Sequence, residues 1–281
     1  KLNKIPTIYT TGLTGFIGSN LLKHLLLNYE KVVNFTRNHT LQVYEKNKIE
    51  EIDISDNFFL QNPSRILINL ATLYIPNPSS AEELNNIIKA NILFPSGVLG
   101  ALASIKNLKI INALSYHQLL DFESQNVYSL SKELFKKFLD NQNIEIVNLY
   151  IFDTFGSGDT RNKVVDIFIK NILCGNQITI PSNETKVNLA DVQIVCRSLM
   201  KSIELRQGSY SLKSPDTITL EELAKMIMEI SNKKVDLIKA GSSLYSFDEI
   251  KTFPENIFFE DSDYNLQKSL SKRIEELTEG I

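Results

Sequence analysis

The sequence predicts an α/β fold in which helices cover both faces of a doubly wound parallel sheet. Short apolar segments alternate with amphipathic ones over roughly the first 150 residues. The segment RILINLAT, residues 65–72, is almost continuously apolar, which is typical of a parallel strand buried on both faces. A glycine-rich turn, TGLTGFIG, joins the first apolar segment to the first amphipathic one. Together these observations indicate repeated strand–helix–strand units.

The first half of the chain supplies the elements of this sheet in order. Residues 16–28 are predicted to be helical because their apolar side chains recur with a spacing near 3.6. A longer helical segment is predicted for residues 81–104, with a break or kink around Pro95. The predicted strands are IPTIYTT, KVVNFT, KIEEIDIS, RILINLAT, LKIINAL and IEIVNLYIF, and YSLSKELFKKFLDNQ is the helix between the last two.

After Phe152 the alternation becomes less regular. DTFGSGDTRNK is a polar loop, and an apolar helix is predicted around Val164 to Leu173. Thr219 and Glu222 have the spacing of a capping box before another helical pattern. We therefore predict a sheet domain over residues 1–152, to which part of 187–208 returns, and a smaller lobe made mainly of residues 153–281.

Composition and charge restrict the partners. With 281 residues and 43% hydrophobic content, the chain can bury a substantial core. A net charge of −3 argues against nucleic acid or an anionic membrane as the main partner. No apolar stretch approaches about 18 residues, so no membrane span is predicted. Cys174 and Cys196 have neither metal-ligand nor CxxC spacing, so we predict a reduced, cytoplasmic setting and no metal site.

The glycine turn predicts a dinucleotide site. Gly12 allows a tight turn after the strand, Gly15 allows close approach of a diphosphate, and Gly18 allows the helix to pack against the sheet. The start of the helix then offers free N–H groups to the phosphates. This makes 1–152 a Rossmann-type cofactor domain, whose predicted contacts in this turn are Gly12, Thr14, Gly15, Phe16, Ile17 and Gly18.

The end of the second strand bears on the choice of dinucleotide. A carboxylate at this position would bind the 2′-hydroxyl of the adenosine ribose and repel a 2′-phosphate. Here Thr36 is followed by Arg37, and a guanidinium suits a phosphate. We therefore predict NADP(H) as the cofactor.

Candidate reacting groups lie in the following strand and helix. Tyr128 and Lys132 are four residues apart, so their side chains project from one face of a helix. An ammonium near a phenol favours the phenolate, so Lys132 is expected to lower the pKa of Tyr128 toward neutrality. Ser115 ends the preceding strand, where its hydroxyl could bind a substrate carbonyl.

These motifs resemble the extended short-chain dehydrogenase/reductases that act on nucleotide sugars. TGLTGFIG, NLAT at 69–72, Asn91, Ser115 and the Tyr128/Lys132 pair carry the resemblance. It implies that Tyr128 protonates a carbonyl oxygen, Ser115 positions that carbonyl, and Lys132 holds the nicotinamide ribose. It further implies cofactor contacts by Asp53, Ile54, Leu70, Ala71, Thr72 and Asn91. A homodimer through the helices containing Asn91–Ser104 and Tyr128–Asn141 is also implied.

Three branches of this family bear on the chain: dehydratases, epimerases and reductases. Its dehydratases carry an Asp-Glu pair after the catalytic hydroxyl residue, where this chain has Tyr116 and His117. Its epimerases retain NAD and usually have an acidic residue after the second strand, which Thr36-Arg37 does not match. A reductase that exchanges NADPH fits better. A 4-epimerase remains an alternative, as does a non-catalytic NADP-binding regulator, although the latter would not need the Tyr–Lys pair.

The polar loop restricts the class of sugar that the substrate contains. LYIFDTFGSGDTRNK is similar to a stretch of the CDP-abequose/CDP-paratose synthase-like 4-keto-sugar reductases, from which it departs at Phe155, Ser157 and Asn162. The resemblance implies substrate contacts by Asp153, Thr160 and Arg161; alternatively, Asp153 and Arg161 only hold the loop together. His117 could face the sugar or be a partly exposed loop residue. We predict NADPH-dependent reduction of a nucleotide-linked, CDP-linked by preference, 4-keto-6-deoxy or 3,6-dideoxy hexose for surface-polysaccharide synthesis.

Overall fold

The computed structural model describes residues 5–37, 48–54, 64–121, 125–243, 246–257 and 264–279. An eight-stranded sheet in the order β13-β10-β6-β5-β4-β1-β2-β3 is parallel throughout. The predicted Rossmann-type doubly wound fold is confirmed. Its strands are β1 (Ile5–Thr11), β2 (Tyr29–Thr36), β3 (Ile49–Asp53), β4 (Ile66–Asn69), β5 (Lys109–Ser115), β6 (Glu145–Ile151), β10 (Gly208–Leu212) and β13 (Glu255–Asn256).

Smaller sheets lie outside the main one. β9 pairs parallel with β7 and antiparallel with β11, and β8 pairs parallel with β12. These strands are β7 (Asp153–Phe155), β8 (Ile178–Ile180), β9 (Lys186–Asp191), β11 (Thr217–Thr219) and β12 (Leu237–Lys239). The helices are α1 (Phe16–Asn28), α2 (Ala81–Ile88), α3 (Phe94–Ala101), α4 (Val127–Asp140), α5 (Val164–Leu173), α6 (Val192–Ser202), α7 (Leu220–Ser231) and α8 (Leu266–Thr278).

Alternate residues of the central strands point to opposite faces, and each face has its own core. Ile8 and Ile68 pack in one cluster with side chains of α1 and α6. Tyr9 and Leu67, one residue away on the same strands, pack in another with α3 and α4. This period of two explains why RILINLAT reads as continuously apolar, since both faces are covered.

The long helical segment is interrupted just before Pro95. A π-helical turn, Lys89–Leu93, lies between α2 and α3. Pro95 has no N–H to donate to the carbonyl of Asn91, four residues earlier, so a regular α-helix cannot continue through it. The wider turn closes instead with the Phe94 N–H bonded to the Lys89 carbonyl. This places Asn91 within the interruption.

The second half of the chain contributes to two places. α6 packs against α1, and β10 extends the main sheet beyond β6. α5, α7 and α8 enclose a separate apolar core with β8, and α7 begins with the capping box between Thr219 and Glu222. The division at residue 152 stays a prediction. Within the described ranges, no helix is both long and apolar enough to cross a membrane.

Candidate active site

A cavity of about 1010 Å³ opens where β1, β4, β5 and β6 end. Carboxyl ends of parallel strands are where open α/β sheets bind ligands. The predicted site residues on its wall are Gly12, Thr14, Gly15, Phe16, Ile17, Gly18, Thr36, Arg37, Leu70, Ala71, Thr72, Ser115, His117, Tyr128, Lys132, Asp153, Thr160 and Arg161. Asp53, Ile54 and Asn91 are off this wall. Among the residues that the structure describes, no group of His, Cys, Asp or Glu is arranged to hold a metal.

The glycine turn is built for close approach of backbone. Gly12 has φ +75°, and a Cβ there would lie 2.6 Å from the Ala71 nitrogen. A Cβ on Gly18 would lie 2.1 Å from the Gly12 carbonyl oxygen, so α1 packs directly on the turn. No side chain caps the start of α1, at Gly15. The residues at this helix start, Gly15 to Gly18, line the cavity. Free N–H groups at the start of a helix are suited to binding phosphate oxygens.

The ends of β2 and β3 lie side by side. Thr36 pairs in register with Asp53. Arg37 is exposed on the cavity wall, and its guanidinium carbon lies 5.6 Å from the Phe94 ring centroid. Ile54 packs toward Gly97, on α3, rather than into the cavity. Arg37 thus places a cation on the cavity wall at the end of β2.

Asn91 acts on the site through other residues. Its Oδ1 accepts from the Leu73 N–H at 2.7 Å and from the Thr72 hydroxyl at 3.3 Å. Its Nδ2 donates to the Leu73 carbonyl and to the Ser131 hydroxyl, at 3.1 and 2.9 Å. Both amide hydrogens are thus used within the protein. In this structure the Asn91 side chain links the 72–73 segment to α4, and its cofactor contact stays a prediction.

Tyr128 and Ser115 meet at the centre of the cavity. Ser115 is the last residue of β5, and Tyr128 lies in the first turn of α4, which Asn126 caps. The Thr72 and Ser115 side chains lie close enough to the Tyr128 hydroxyl to lower its pKa through hydrogen bonding. The Tyr128 and Tyr74 rings meet edge-on, with their centroids 4.8 Å apart. Burial raises the pKa of Tyr128 to about 12, although both hydrogen bonds and Arg161 act to lower it. Tyr128 therefore holds its proton at neutral pH.

Lys132 follows one turn later and is also buried. Its Nζ lies 5.9 Å from the Tyr128 ring centroid. Burial lowers the pKa of Lys132 to about 8. The expectation that Lys132 brings the pKa of Tyr128 toward neutrality is wrong for this structure, because burial has the largest influence on the pKa of Tyr128 and moves it away from neutrality.

The cavity wall also contains the carboxyl group of Asp153. The Tyr116 hydroxyl donates to Asp153 Oδ2 at 3.1 Å, and the Tyr116 ring is stacked on Phe152 with centroids 5.2 Å apart. Burial raises the pKa of Asp153 to about 6, while Lys163 and Arg161 act in the opposite direction. Sequence reasoning gave Tyr116 no role beyond excluding a dehydratase, and its position directly after Ser115 was the available signal.

His117 is buried, so its interpretation as a partly exposed loop residue is wrong. Only 5% of the residue is accessible, and it lies on the cavity wall in a short 3₁₀ turn. Burial, with a smaller contribution from Lys163, lowers the pKa of His117 to about 4. The imidazole is therefore neutral near pH 7.

The loop of residues 156–163, called here the cavity loop, carries two cations in different places. Arg161 lies over the Phe16 ring, with its guanidinium carbon 4.3 Å from the centroid. Lys163 Nζ lies 3.7 Å from the Tyr74 ring centroid. Thr160, directly before Arg161, is exposed on the cavity wall. Tyr74 was missed entirely, because nothing in the segment after β4 distinguishes it from a surface tyrosine.

Known proteins resemble the chain over most of its length. CDP-abequose synthase of Yersinia pseudotuberculosis is 27% identical over 260 residues, covering 86% of this chain and 90% of that protein. CDP-abequose synthase of Salmonella muenchen is 22% identical, covering 95% and 96%.

Solved structures share the fold. Bordetella bronchiseptica WbmF, in complex with NADH, has a TM-score of 0.77 at 20% identity and covers 98% of this chain and 92% of its own. The UDP-glucose 4-epimerase of Thermotoga maritima, with UDP-glucose, has a TM-score of 0.76 at 19% identity, covering 98% and 99%. Residues 8–192 match the model of the NAD dependent epimerase/dehydratase family, and the chain belongs to that family.

Proposed function

We propose that the protein is an NADPH-dependent reductase of the 4-keto group of a nucleotide-linked hexose. The substrate is a CDP-linked 4-keto-6-deoxy or 3,6-dideoxy sugar of the kind used in surface polysaccharides. The observation that carries the proposal is that Tyr128, Ser115 and Lys132 line the same cavity as the glycine turn. The similarity to two CDP-abequose synthases supports this sugar class.

The residues fit a dinucleotide. Gly12 and Gly18 leave backbone space that a Cβ would fill, and the start of α1 offers uncapped N–H groups. The chemistry that a bound nicotinamide supplies is a hydride for C4 of the sugar. Lys132, buried beside Tyr128, would hold the nicotinamide ribose.

The chain's own groups handle the proton and the orientation. Ser115 donates to the C4 carbonyl oxygen and stabilises the negative charge that develops there. Tyr128 gives its proton to the same oxygen as the alcohol forms. Asp153 accepts from a sugar hydroxyl, and Thr160 and His117 lie on the same wall as further substrate contacts.

A 4-epimerase is the second candidate, favoured by the structural similarity to UDP-glucose 4-epimerase. An epimerase must first take a proton from the C4 hydroxyl, which requires a phenolate. Burial raises the pKa of Tyr128, which favours the protonated phenol that the reductive direction needs. The two candidates differ in a simple respect: the epimerase inverts C4 without added NADPH.

The decisive experiment follows NADPH oxidation with CDP-4-keto-6-deoxyglucose and its 3-deoxy analogue. We expect oxidation with at least one of them, and a loss of turnover of roughly 100-fold or more in Tyr128→Phe. Because Phe keeps the ring but not the hydroxyl, NADPH affinity should not change. Full activity in Tyr128→Phe would contradict the mechanism, and inversion of C4 without NADPH would establish the epimerase.

The choice of NADPH over NADH rests on Arg37 at the end of β2. Arg37→Ala should weaken the binding of NADPH by about tenfold, the effect of losing one charge-assisted phosphate contact. The affinity for NADH should be nearly unchanged. Dissociation constants from the quenching of intrinsic tyrosine fluorescence measure both. Equal losses for the two cofactors would show that Arg37 does not read the 2′-phosphate.

A homodimer is proposed from two neighbouring helical segments. Leu84 and Ile88 on α2, Leu93 after it, and Leu134 and Phe138 on α4 are large apolar side chains exposed to solvent. α4 packs against α2 and the π-helical turn, so these side chains form adjacent surfaces. Light scattering should give twice the chain mass, and Phe138→Lys should reduce it.

A further inference from the structure

Two cations of the cavity loop, Arg161 and Lys163, lie against different parts of the site. Arg161 is stacked on Phe16, the first residue of α1, where the glycine turn ends. Lys163 is stacked on Tyr74, which itself contacts Tyr128. The first cation therefore belongs to the phosphate end of the cofactor site, and the second to the end where the sugar must react.

The cavity loop is fastened to α1 rather than left to follow the substrate. Asn20 of α1 donates from Nδ2 to the Ser157 carbonyl at 3.0 Å. On the other side, Arg273 of α8 donates from Nη2 to the Asp159 carbonyl at 3.1 Å. Both bonds hold the loop backbone just before Arg161.

The guanidinium of Arg161 is fixed as well. Nε and Nη2 donate to the two carboxylate oxygens of Asp159, at 2.8 and 2.7 Å, and Nη2 also donates to the Thr154 carbonyl at 2.6 Å. The Asp159 side chain is 1% exposed, whereas that of Arg161 is 36% exposed. The carboxylate is therefore covered, while the cation meets the cavity and its Nη1 is the donor left for a ligand. Because Asp159 holds the rest of the guanidinium in place, this pre-oriented Nη1 is suited to donate a charge-assisted hydrogen bond to a phosphate oxygen.

We propose that Arg161 binds the diphosphate of the dinucleotide, not that of the nucleotide sugar. The cofactor's diphosphate is then held from two sides, by the N–H groups of α1 and by a side chain from the cavity loop. This inference rests on the proposed function for the presence of a dinucleotide. It also means that the segment resembling the CDP-sugar reductases serves both ligands, with Arg161 on the cofactor and Asp153 on the sugar.

The test compares Arg161→Gln with Lys163→Gln, two charge-neutralising changes on the same loop. Three probes are titrated into each protein: NADPH; adenosine 2′-phosphate, which lacks the diphosphate; and CDP, which carries the substrate's diphosphate. We expect Arg161→Gln to weaken the binding of NADPH by about tenfold or more, the effect of losing one charge-assisted hydrogen bond. Adenosine 2′-phosphate and CDP should bind it as they bind the wild type. Lys163→Gln should leave NADPH unchanged.

Arg161→Lys separates charge from geometry, since it retains the cation but loses the fork and should recover only part of the affinity. Unchanged NADPH affinity in Arg161→Gln, an equal loss for adenosine 2′-phosphate, or a loss confined to CDP would each overturn the inference. None of these results would affect the reductase, which turnover measures separately. A wild-type protein that binds neither NADPH nor NADH would overturn both proposals.

Discussion

Two regions that line the cavity, the sheet and the cavity loop, are held by different kinds of polar contact. The sheet that carries Ser115 contains an uncharged row, here called the asparagine row, of Asn69, Asn112 and Asn148. Asn112 Nδ2 donates to Asn148 Oδ1, and Asn69 Nδ2 donates to Asn112 Oδ1, both at 3.0 Å. The cavity loop is instead held by charges, the pair of Arg161 with Asp159 and that of Arg273 with Asp166.

The difference follows from backbone regularity. Asn69, Asn112 and Asn148 are register partners on β4, β5 and β6, so parallel pairing alone brings their amides into contact. Thr11 of β1 extends the row by donating to Asn69 Oδ1 at 2.7 Å, and its hydroxyl also accepts from the Ala71 N–H. The cavity loop has no such register. The ion pair of Arg161 with Asp159 lies within the loop, and that of Arg273 with Asp166 joins α8 to α5 beside it. The stability of such pairs depends on keeping both charges.

The largest effect should come from breaking the charged network. Arg273→Met leaves the Asp166 carboxylate, whose side chain is 2% exposed, without the bidentate partner that now lies 2.6 and 3.0 Å away. We expect the free energy of unfolding to fall by about 3 to 5 kcal/mol, the usual consequence of stranding a buried charge. Urea denaturation measures it.

The matched control replaces both charges. Arg273→Met combined with Asp166→Leu removes the stranded carboxylate, so the double variant should be more stable than Arg273→Met alone. NADPH should bind the double variant more weakly than the wild type, because Arg273 also holds the Asp159 backbone. A double variant as unstable as the single one would show that packing, not charge, holds this region.

The second-largest loss of stability should come from breaking the asparagine row. Asn112→Leu leaves the Asn69 donor and the Asn148 acceptor buried without the partner they share. We expect a loss of about 3 kcal/mol in the free energy of unfolding, since each orphaned group costs about 1 to 3 kcal/mol. Because Asn112 and the two asparagines that it bonds are uncharged, the loss should not depend on salt. Strong salt dependence for Asn112→Leu would remove the distinction between the two regions.

The sequence predicts the sheet side of the cavity well because regular elements carry it. Strand–helix alternation, the glycine turn and the four-residue spacing of Tyr128 and Lys132 place these groups without knowledge of tertiary contacts. The bounds of α1 and α5 coincide with the predicted helices. Asn112 and Asn148 are unremarkable in sequence, because their partnership depends on which strands are neighbours.

The cavity loop was predictable only through resemblance. Residues about 100 apart, Arg273 and Asp166, determine its shape, and no local pattern joins them. The pKa of Tyr128 was misjudged for a related reason: helical spacing shows that Lys132 is near, but not that both groups are removed from water. Burial of His117 likewise depends on packing that a loop sequence does not reveal.

The smallest effect concerns Asp153, which lies between the two regions and is bound by Tyr116. Its pKa is raised from 3.8 to about 6, chiefly by burial, so the folded protein binds its proton more tightly than the unfolded chain does. The stabilisation is complete below about pH 4 and is lost as the pH rises through about 6. Asp153→Asn keeps an acceptor for Tyr116 without the charge.

We therefore expect Asp153→Asn to match the wild type in unfolding free energy at pH 4 and to exceed it by about 2 kcal/mol at pH 7. A shift of two pKa units sets an upper limit near 3 kcal/mol, which partial exposure of the side chain reduces. Denaturant unfolding across this pH range measures the difference, with Asp121→Asn, an exposed carboxyl, as the control. If the wild type instead has the larger free energy of unfolding at pH 7, the charges of Lys163 and Arg161 stabilise the Asp153 carboxylate by more than burial destabilises it. Asp153 would then belong with the charged network of the cavity loop.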